Sequence, residues 1–344
     1  METLKAVPDP KLQSSFEHCR DIVLAADRLG FDNVLLPSGY DLGIDNVAFA
    51  GGMAPMLEQI NMLLAVRTGE MWLPQLVRQL ATLDQMLDGR LTVNWISSDP
   101  PGVKMESEPR YRRTTEAMKI VRALMSGESV DFHGEFFDIT LDPPSAVRKA
   151  GAVCPPFYFG GLSEAARQCA AEGADVYLMW PEPVAAAAEL VEDMTRRAAA
   201  FGRTLKFGFR VHMIVRETEA EARAAAERLV SKLDDDEGRK IRERSLDAAS
   251  AGVARQAALR EGSDDGYVED NLWTGIGRAR SGCGAAIVGD PDQVLAKIEA
   301  YRAVGIDAFI FSGYPHRDEA ELFGKYVLPK LDHARFHSHP VPRV

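Results

Sequence analysis

Short, nearly continuous apolar runs alternate along this chain with longer stretches whose apolar residues recur every three or four positions. The runs NVLLP (33–37), NMLLAVR (61–67), LTVNWISS (91–98), FYFGG (157–161), VYLMW (176–180), FGFRVHMIV (207–215) and AFIFSG (308–313) predict strands. The stretches 16–29, 73–87, 113–125, 163–172, 184–201, 218–232 and 291–304 predict helices between them. Strands separated by helices pair in parallel through right-handed crossovers. Runs with little alternation fit a sheet that has helices on one face and a packed interior on the other.

Three helix-to-strand joints repeat one phrase: DRLGFDNVLLP (27–37), AAEGADVYLMW (170–180) and YRAVGIDAFIF (301–311). In each, a glycine closes the helix in the position that favours left-handed backbone, and an aspartate precedes the strand. The recurrence favours an α/β fold of the (β/α)8 TIM-barrel type over an open sheet. Seven strands are visible. The opening METLKAVPDPKLQSS offers only a weak LKAV for another, so either the first strand is irregular or a segment is missing from this sequence. Residues 1–332 read as one catalytic domain. The charged, glycine-rich stretch 233–285 reads as an insertion between the seventh and eighth strands, either a lid over the carboxyl face or a helical excursion for oligomer contacts. Residues 333–344 read as a flexible tail, and a zinc site at its histidines is disfavoured.

Composition narrows the classes of function. A length of 344 residues suits a single barrel, and 46% hydrophobic residues supply a sizeable core. Forty basic against 51 acidic residues give a net charge of −11, which argues against nucleic acid and membrane partners. The four scattered cysteines form no C-x-x-C pair, and neither a long apolar run nor a signal-peptide order is present, so a reducing cytoplasm is expected.

Candidate chemistry gathers at strand ends. Arg210 and His212 lie two apart in FGFRVHMIV and so leave the same face of their strand. Buried there, both need partners; a core carboxylate and a structural hydrogen bond would suffice. Tyr314 and His316 repeat that spacing at the end of the neighbouring strand, which turns the balance toward a site. Arg280, in GRARSGCG, can bring a second guanidinium from the insertion. Trp180 can supply a flat wall or be plain core. There is no paired-carboxylate signature, no G-x-S-x-G and no metal triad, so the chemistry points to a bound cofactor. In FYFGGLSEAAR, Gly160, Gly161 and Ser163 stand between a strand and a helix, where free amides and the helix dipole suit a mononucleotide phosphate; the plainer reading is a tight turn with Ser163 as helix cap.

Phrases running over nearly the whole chain carry a family resemblance: AADRLGFDNVLLPSG, RQLATLDQMLDGRLTVNWISSDP, PPFYFGGLSEAA, ADVYLMWPEP, FGFRVHMIVRET, NLWTGIGRARSGCGAAIVGDPDQV and GIDAFIFSGYPH. The chain resembles the flavin-dependent monooxygenases of the bacterial-luciferase-like superfamily, and within it the alkanesulfonate monooxygenases. The resemblance implies a TIM barrel that takes reduced FMN (FMNH2) from a separate NAD(P)H-dependent flavin reductase, uses O2, and cleaves a carbon–sulfur bond to give an aldehyde and sulfite. It implies that Arg210, His212, Arg280, Tyr314 and His316 surround the sulfonate, that Trp180 lines the same pocket, and that Asn94, Tyr111, Gly161 and Ser163 hold the flavin. It also implies a homo-oligomer, dimer or tetramer.

Two departures bear on the substrate. The linear-alkanesulfonate members carry a cysteine shortly after the second strand, where PSGYDLGID here places Tyr40 and Asp41; the loop SSDPPGVKMESEPRY (97–111) is short and lacks the family's usual continuation. Both loops border the mouth, which favours a hydroxylated substrate, a sulfonated sugar such as sulfoquinovose. The rival readings are an oxygenase of the same superfamily acting on a sulfone, an alkane or a pyrimidine, and a flavin- or anion-binding protein without turnover.

Overall fold

A computed structural model describes residues 15–40, 44–99, 102–149, 153–233, 236, 238, 250–263, 265–278 and 282–336. Each predicted apolar run is a strand: β1 (Asn33–Leu36), β2 (Asn61–Arg67), β3 (Leu91–Ile96), β6 (Phe157–Phe159), β7 (Val176–Met179), β8 (Lys206–Val215) and β12 (Ala308–Ser312). They pair in parallel in that order. Helices α1 (Phe16–Leu29), α2 (Asn46–Met53), α3 (Leu73–Met86), α4 (Ser107–Met125), α6 (Glu164–Gly173), α7 (Val184–Ala200), α8 (Glu219–Val230), α10 (Pro291–Ala303) and α11 (His316–Tyr326) cover the outside. A hairpin of β4 (Val130–His133) and β5 (Asp138–Leu141), then the short α5 (Ser145–Lys149), follow α4. This is a mostly parallel α/β architecture of the TIM-barrel type. No helix among the described residues is long and apolar enough to cross a membrane.

The repeated glycine–aspartate joints act as staples. Asp175 gives its backbone N–H to the Phe157 carbonyl at 2.8 Å, while its carboxylate accepts the Phe157 N–H at 2.8 Å. Asp307 brackets Phe207 in the same way, with both contacts at 2.8 Å. Asp175 and Asp307 thus set the register of β7 and β12 against their neighbours, whereas the Asp32 carboxylate of the first joint meets His333 instead. Gly30 (φ +86°) and Gly305 (φ +101°) are left-handed as expected. Gly173 differs: it remains helical, and a Cβ there would lie 2.4 Å from the Met118 Cε, so its role is close contact between α4 and α6.

Among the described residues, the outer edges of β1 and β12 carry no ladder. Their residues are mostly half-buried, whereas β2 is buried throughout. The weak LKAV strand lies outside the described residues. At the amino end of the interior, Phe336 joins Leu35, Leu63, Tyr158, Val176 and Ile310 in an apolar cluster, and its carbonyl accepts the Asn61 amide at 3.2 Å. His333 Nδ1 meets the Asp32 carboxylate at 2.7 Å. The first four residues of the expected flexible tail are therefore fixed to the barrel floor, because an apolar ring and a hydrogen bond to Asp32 hold them; the remainder lies outside the described residues.

Part of the insertion is described. It holds α9 (Ala251–Glu261), β9 (Tyr267–Glu269) and β10 (Leu272–Trp273), with β10 antiparallel to an unpredicted strand, β11 (Ala286–Gly289). The first half of β8 pairs with β7, and its second half pairs with β11. The even-numbered amides of Lys206 and His212 serve these two partners, so β7 and β11 share one edge of β8. The helix α9 is fastened to the turn after β7: Gln256 Nε2 donates to the Pro181 carbonyl at 2.7 Å, and Arg255 meets buried Glu182 at 2.7 Å.

Candidate active site

Ladder register fixes which side chains point inward. Leu35, Leu63, Tyr158, Val176 and Ile310 form the inner cluster, and Ile310 is the register partner of Arg210. Arg210 and His212 therefore belong to the inner row of β8, while Phe209 faces outward onto the Tyr301 ring at 4.2 Å. His212 is fully buried and Arg210 half-buried. His212 is the register partner of Ser312, the last residue of β12, and the chain then turns through Tyr314. The imidazole and phenol rings lie 5.5 Å apart, tilted by 31°, and Tyr314 meets His316 edge-on at 4.9 Å.

His316 is not on the strand. It opens α11, so the spacing that suggested an extended alternation arises here from a turn at Gly313–Pro315. The turn is tight: a Cβ on Gly313 would come 2.2 Å from the Glu319 Cβ. Arg210, His212, Tyr314 and His316 thus come together at the carboxyl mouth, while Arg280 lies outside the described residues. The Cys283 thiol donates to the Arg210 carbonyl at 3.3 Å, tying the segment before β11 to β8.

Trp180 follows β7 on the same parity as Val176 and is half-buried. A Cβ on Gly252 would lie 2.8 Å from its ring, and one on Gly282 would lie 3.4 Å away. Two glycines of the insertion therefore flank the indole, letting the backbone approach its ring.

The expected flavin residues lie farther along the sheet. Asn94 is on the inner row of β3, in register with Ala65 and Tyr158. Ser163 caps α6 by accepting the Ala166 N–H at 3.3 Å, as the plainer reading had it, and its hydroxyl hydrogen is left for an acceptor. Gly161 (φ +152°) leaves a backbone cradle: a Cβ would lie 2.6 Å from the Ala166 Cβ and 3.7 Å from the Tyr111 hydroxyl. A Cβ on Gly160 would meet the Leu178 carbonyl at 1.9 Å. The sequence reading missed Tyr177, whose buried hydroxyl donates to the Gly161 carbonyl at 2.8 Å and holds this turn; burial pushes its phenol pKa upward. Glycine backbone, a tyrosine hydroxyl and the first-turn amides of α6 fit a phosphomonoester. Strand order places Trp180 between this group and the Arg210 group.

A mouth with cationic and imidazole donors on one wall and a phosphate-sized cradle on another suits an α/β-barrel enzyme that pairs a phosphate-bearing cofactor with an anionic substrate. The chain belongs to the luciferase-like monooxygenase family, whose model matches residues 3–308. It is 61% identical over 335 residues to the sulfoquinovose monooxygenase of Novosphingobium aromaticivorans, covering 95% of this chain and 92% of that one. It is 52% identical over 329 residues to the sulfoquinovose monooxygenase of Agrobacterium fabrum, covering 94% and 85% respectively. Among solved structures, the oxygenating constituent of 3,6-diketocamphane monooxygenase from Pseudomonas putida, in complex with FMN, shares the fold, with a TM-score of 0.68 and 18% identity over 95% of this chain and 97% of that one.

Proposed function

We propose that this protein uses reduced FMN, delivered by a separate NAD(P)H-dependent flavin reductase, and O2 to desulfonate an organosulfonate, with sulfoquinovose as the favoured substrate. The convergence of Arg210, His212, Tyr314 and His316 from β8 and the end of β12 carries this reading. The two sulfoquinovose monooxygenases that share more than half of their aligned residues with this chain support the choice of substrate.

When bound, reduced FMN supplies the two electrons that let one oxygen atom of O2 reach the carbon bearing sulfur while the other leaves as water. The carbon becomes an aldehyde, and the sulfonate departs as sulfite. The side chains of this protein bind and orient. A sulfonate is a permanent anion with three acceptor oxygens, which suits the Arg210 guanidinium beside imidazole and phenol donors. Arg280 adds a second cation from the insertion, and Trp180 packs flat against the substrate. Asn94, Tyr111, Gly161 and Ser163 hold the flavin and its phosphate. The insertion acts as a lid that excludes water, and the protein works in the cytoplasm as a homo-oligomer.

The test is sulfite release from sulfoquinovose and from a panel of other organosulfonates, with enzymatically reduced FMN and O2. Sulfite above the enzyme-free background is the expected result. A rate no higher than that background with every sulfonate would overturn the proposal.

A further inference from the structure

Arg67 ends β2 in a row where every residue is buried, and its side chain is only 6% exposed. The neighbouring hydroxyls show which way it turns. Thr68 and Ser97, at the ends of β2 and β3, both reach outward to the Thr114 hydroxyl of α4, at 3.1 and 2.9 Å. Their chain neighbours Arg67 and Ser98 therefore turn to the inner side of the mouth. Arg67 Nε meets Glu70 at 3.0 Å and Nη2 donates to the Ser38 carbonyl at 3.3 Å, which fixes the plane of the guanidinium. Among the described residues, its Nη1 has no hydrogen-bond partner, its Nε has only that ion pair, and the hydroxyl of Ser98, which is 6% exposed, has none. Buried polar atoms are ordinarily satisfied, so such atoms on adjacent strand ends are groups that a polar ligand would meet.

The chemistry of that ligand follows from the local charge. Glu70 already balances Arg67, so the site suits uncharged oxygen acceptors more than a second anion. The Ser98 hydroxyl both donates and accepts, as does each hydroxyl of a sugar. In the strand order, β2 stands four places from β8, on the wall across from Arg210 and His212.

We propose that Arg67 and Ser98 form a hydroxyl-recognition subsite, which holds the uncharged, polyhydroxylated part of the substrate while Arg210 and His212 hold its sulfonate. This rests on the sulfonated-sugar reading above. It assigns the selection of a sugar over an alkyl chain to the β2 and β3 ends.

The experiment measures substrate binding in the presence of FMN, and sulfite release with enzymatically reduced FMN and O2, for Ser98→Ala, Arg67→Lys and Arg67→Met. The probes are sulfoquinovose and an unsubstituted six-carbon alkanesulfonate, with FMN affinity titrated separately. Sulfoquinovose kcat/KM is expected to fall about tenfold in Ser98→Ala and about a hundredfold in Arg67→Met. The alkanesulfonate and the FMN dissociation constant should move by less than about threefold. Equal losses for both sulfonates, or FMN affinity falling in step, would overturn the subsite. If Arg67→Met does not fold, Ser98→Ala and Arg67→Lys decide by the same split. Failure of the underlying reading looks different: the unmutated protein then releases no sulfite from sulfoquinovose, and the subsite falls with it.

Discussion

Arg216, just beyond β8, clasps Glu319 in the first turns of α11, its Nη1 and Nη2 reaching the two carboxylate oxygens at 3.1 and 2.6 Å. Glu319 is 7% exposed, and burial raises its carboxyl pKa against the opposing pull of Arg216. The clasp closes the turn that carries Tyr314 and His316. Removing one partner of such a pair leaves an uncompensated charge, which costs about 3–5 kcal/mol. Glu319→Gln is therefore expected to lower the thermal midpoint and to reduce kcat while FMN affinity holds. An unchanged midpoint in a melting scan would refute the structural part of this expectation.

Arg210→Ala removes the inner-row guanidinium from β8 while leaving the phosphate cradle near α6 untouched. Sulfite release is expected to fall by about a hundredfold or more, with FMN affinity within about threefold of the parent. Parallel loss of both, seen by flavin fluorescence titration, would count against a sulfonate clamp.

Gly161→Ala tests the cradle itself. The added Cβ must fit at φ +152° and 2.6 Å from the Ala166 Cβ. The expected result is FMN binding weakened about tenfold, with far-ultraviolet circular dichroism unchanged. Retained affinity would remove Gly161 from the flavin site.

Asp84, buried on α3, has its pKa raised to about 6 from an ordinary 3.8, chiefly by burial and against a backbone hydrogen bond from Leu91. The folded protein therefore holds this proton more tightly than the unfolded chain. The stability this provides is complete below about pH 4 and is lost as pH rises through about 6. Asp84→Asn is expected to gain about 2 kcal/mol over the parent at pH 8 and almost nothing at pH 3.5. Urea unfolding at the two pH values checks this, and an equal difference at both would show that ionisation is not the cause.

The strands β2, β3, β6, β7 and β8 were legible because helices and interior bury both their faces, which leaves continuous apolar runs; β1 and β12, mostly half-buried, were marked by the glycine–aspartate joints before them. Strand β11 was not: AIVG is four residues, set beside glycines and reading like the end of the insertion. Helix α2 hid in NVAFAGGM, where two glycines weaken the helical signal, and the β4–β5 hairpin hid in the mixed polarity of VDFH and DITL. In the site, Arg210 and His212 stood out as polar residues within an apolar run. Arg67 carried the same signal at the end of NMLLAVR but lacked a second polar neighbour two positions away. Tyr177 was hidden because its ring belongs to the core and only its hydroxyl touches the glycine turn.

The shared edge of β8 has a mechanical consequence. The His212 amide is hydrogen-bonded to the Ala285 carbonyl at 3.0 Å, so the frame of the insertion and the strand bearing Arg210 and His212 are one continuous piece of backbone lattice. A hinge for any closing motion has to lie outside residues 282–289. Any tilt of that frame would therefore be transmitted directly to the two side chains it carries.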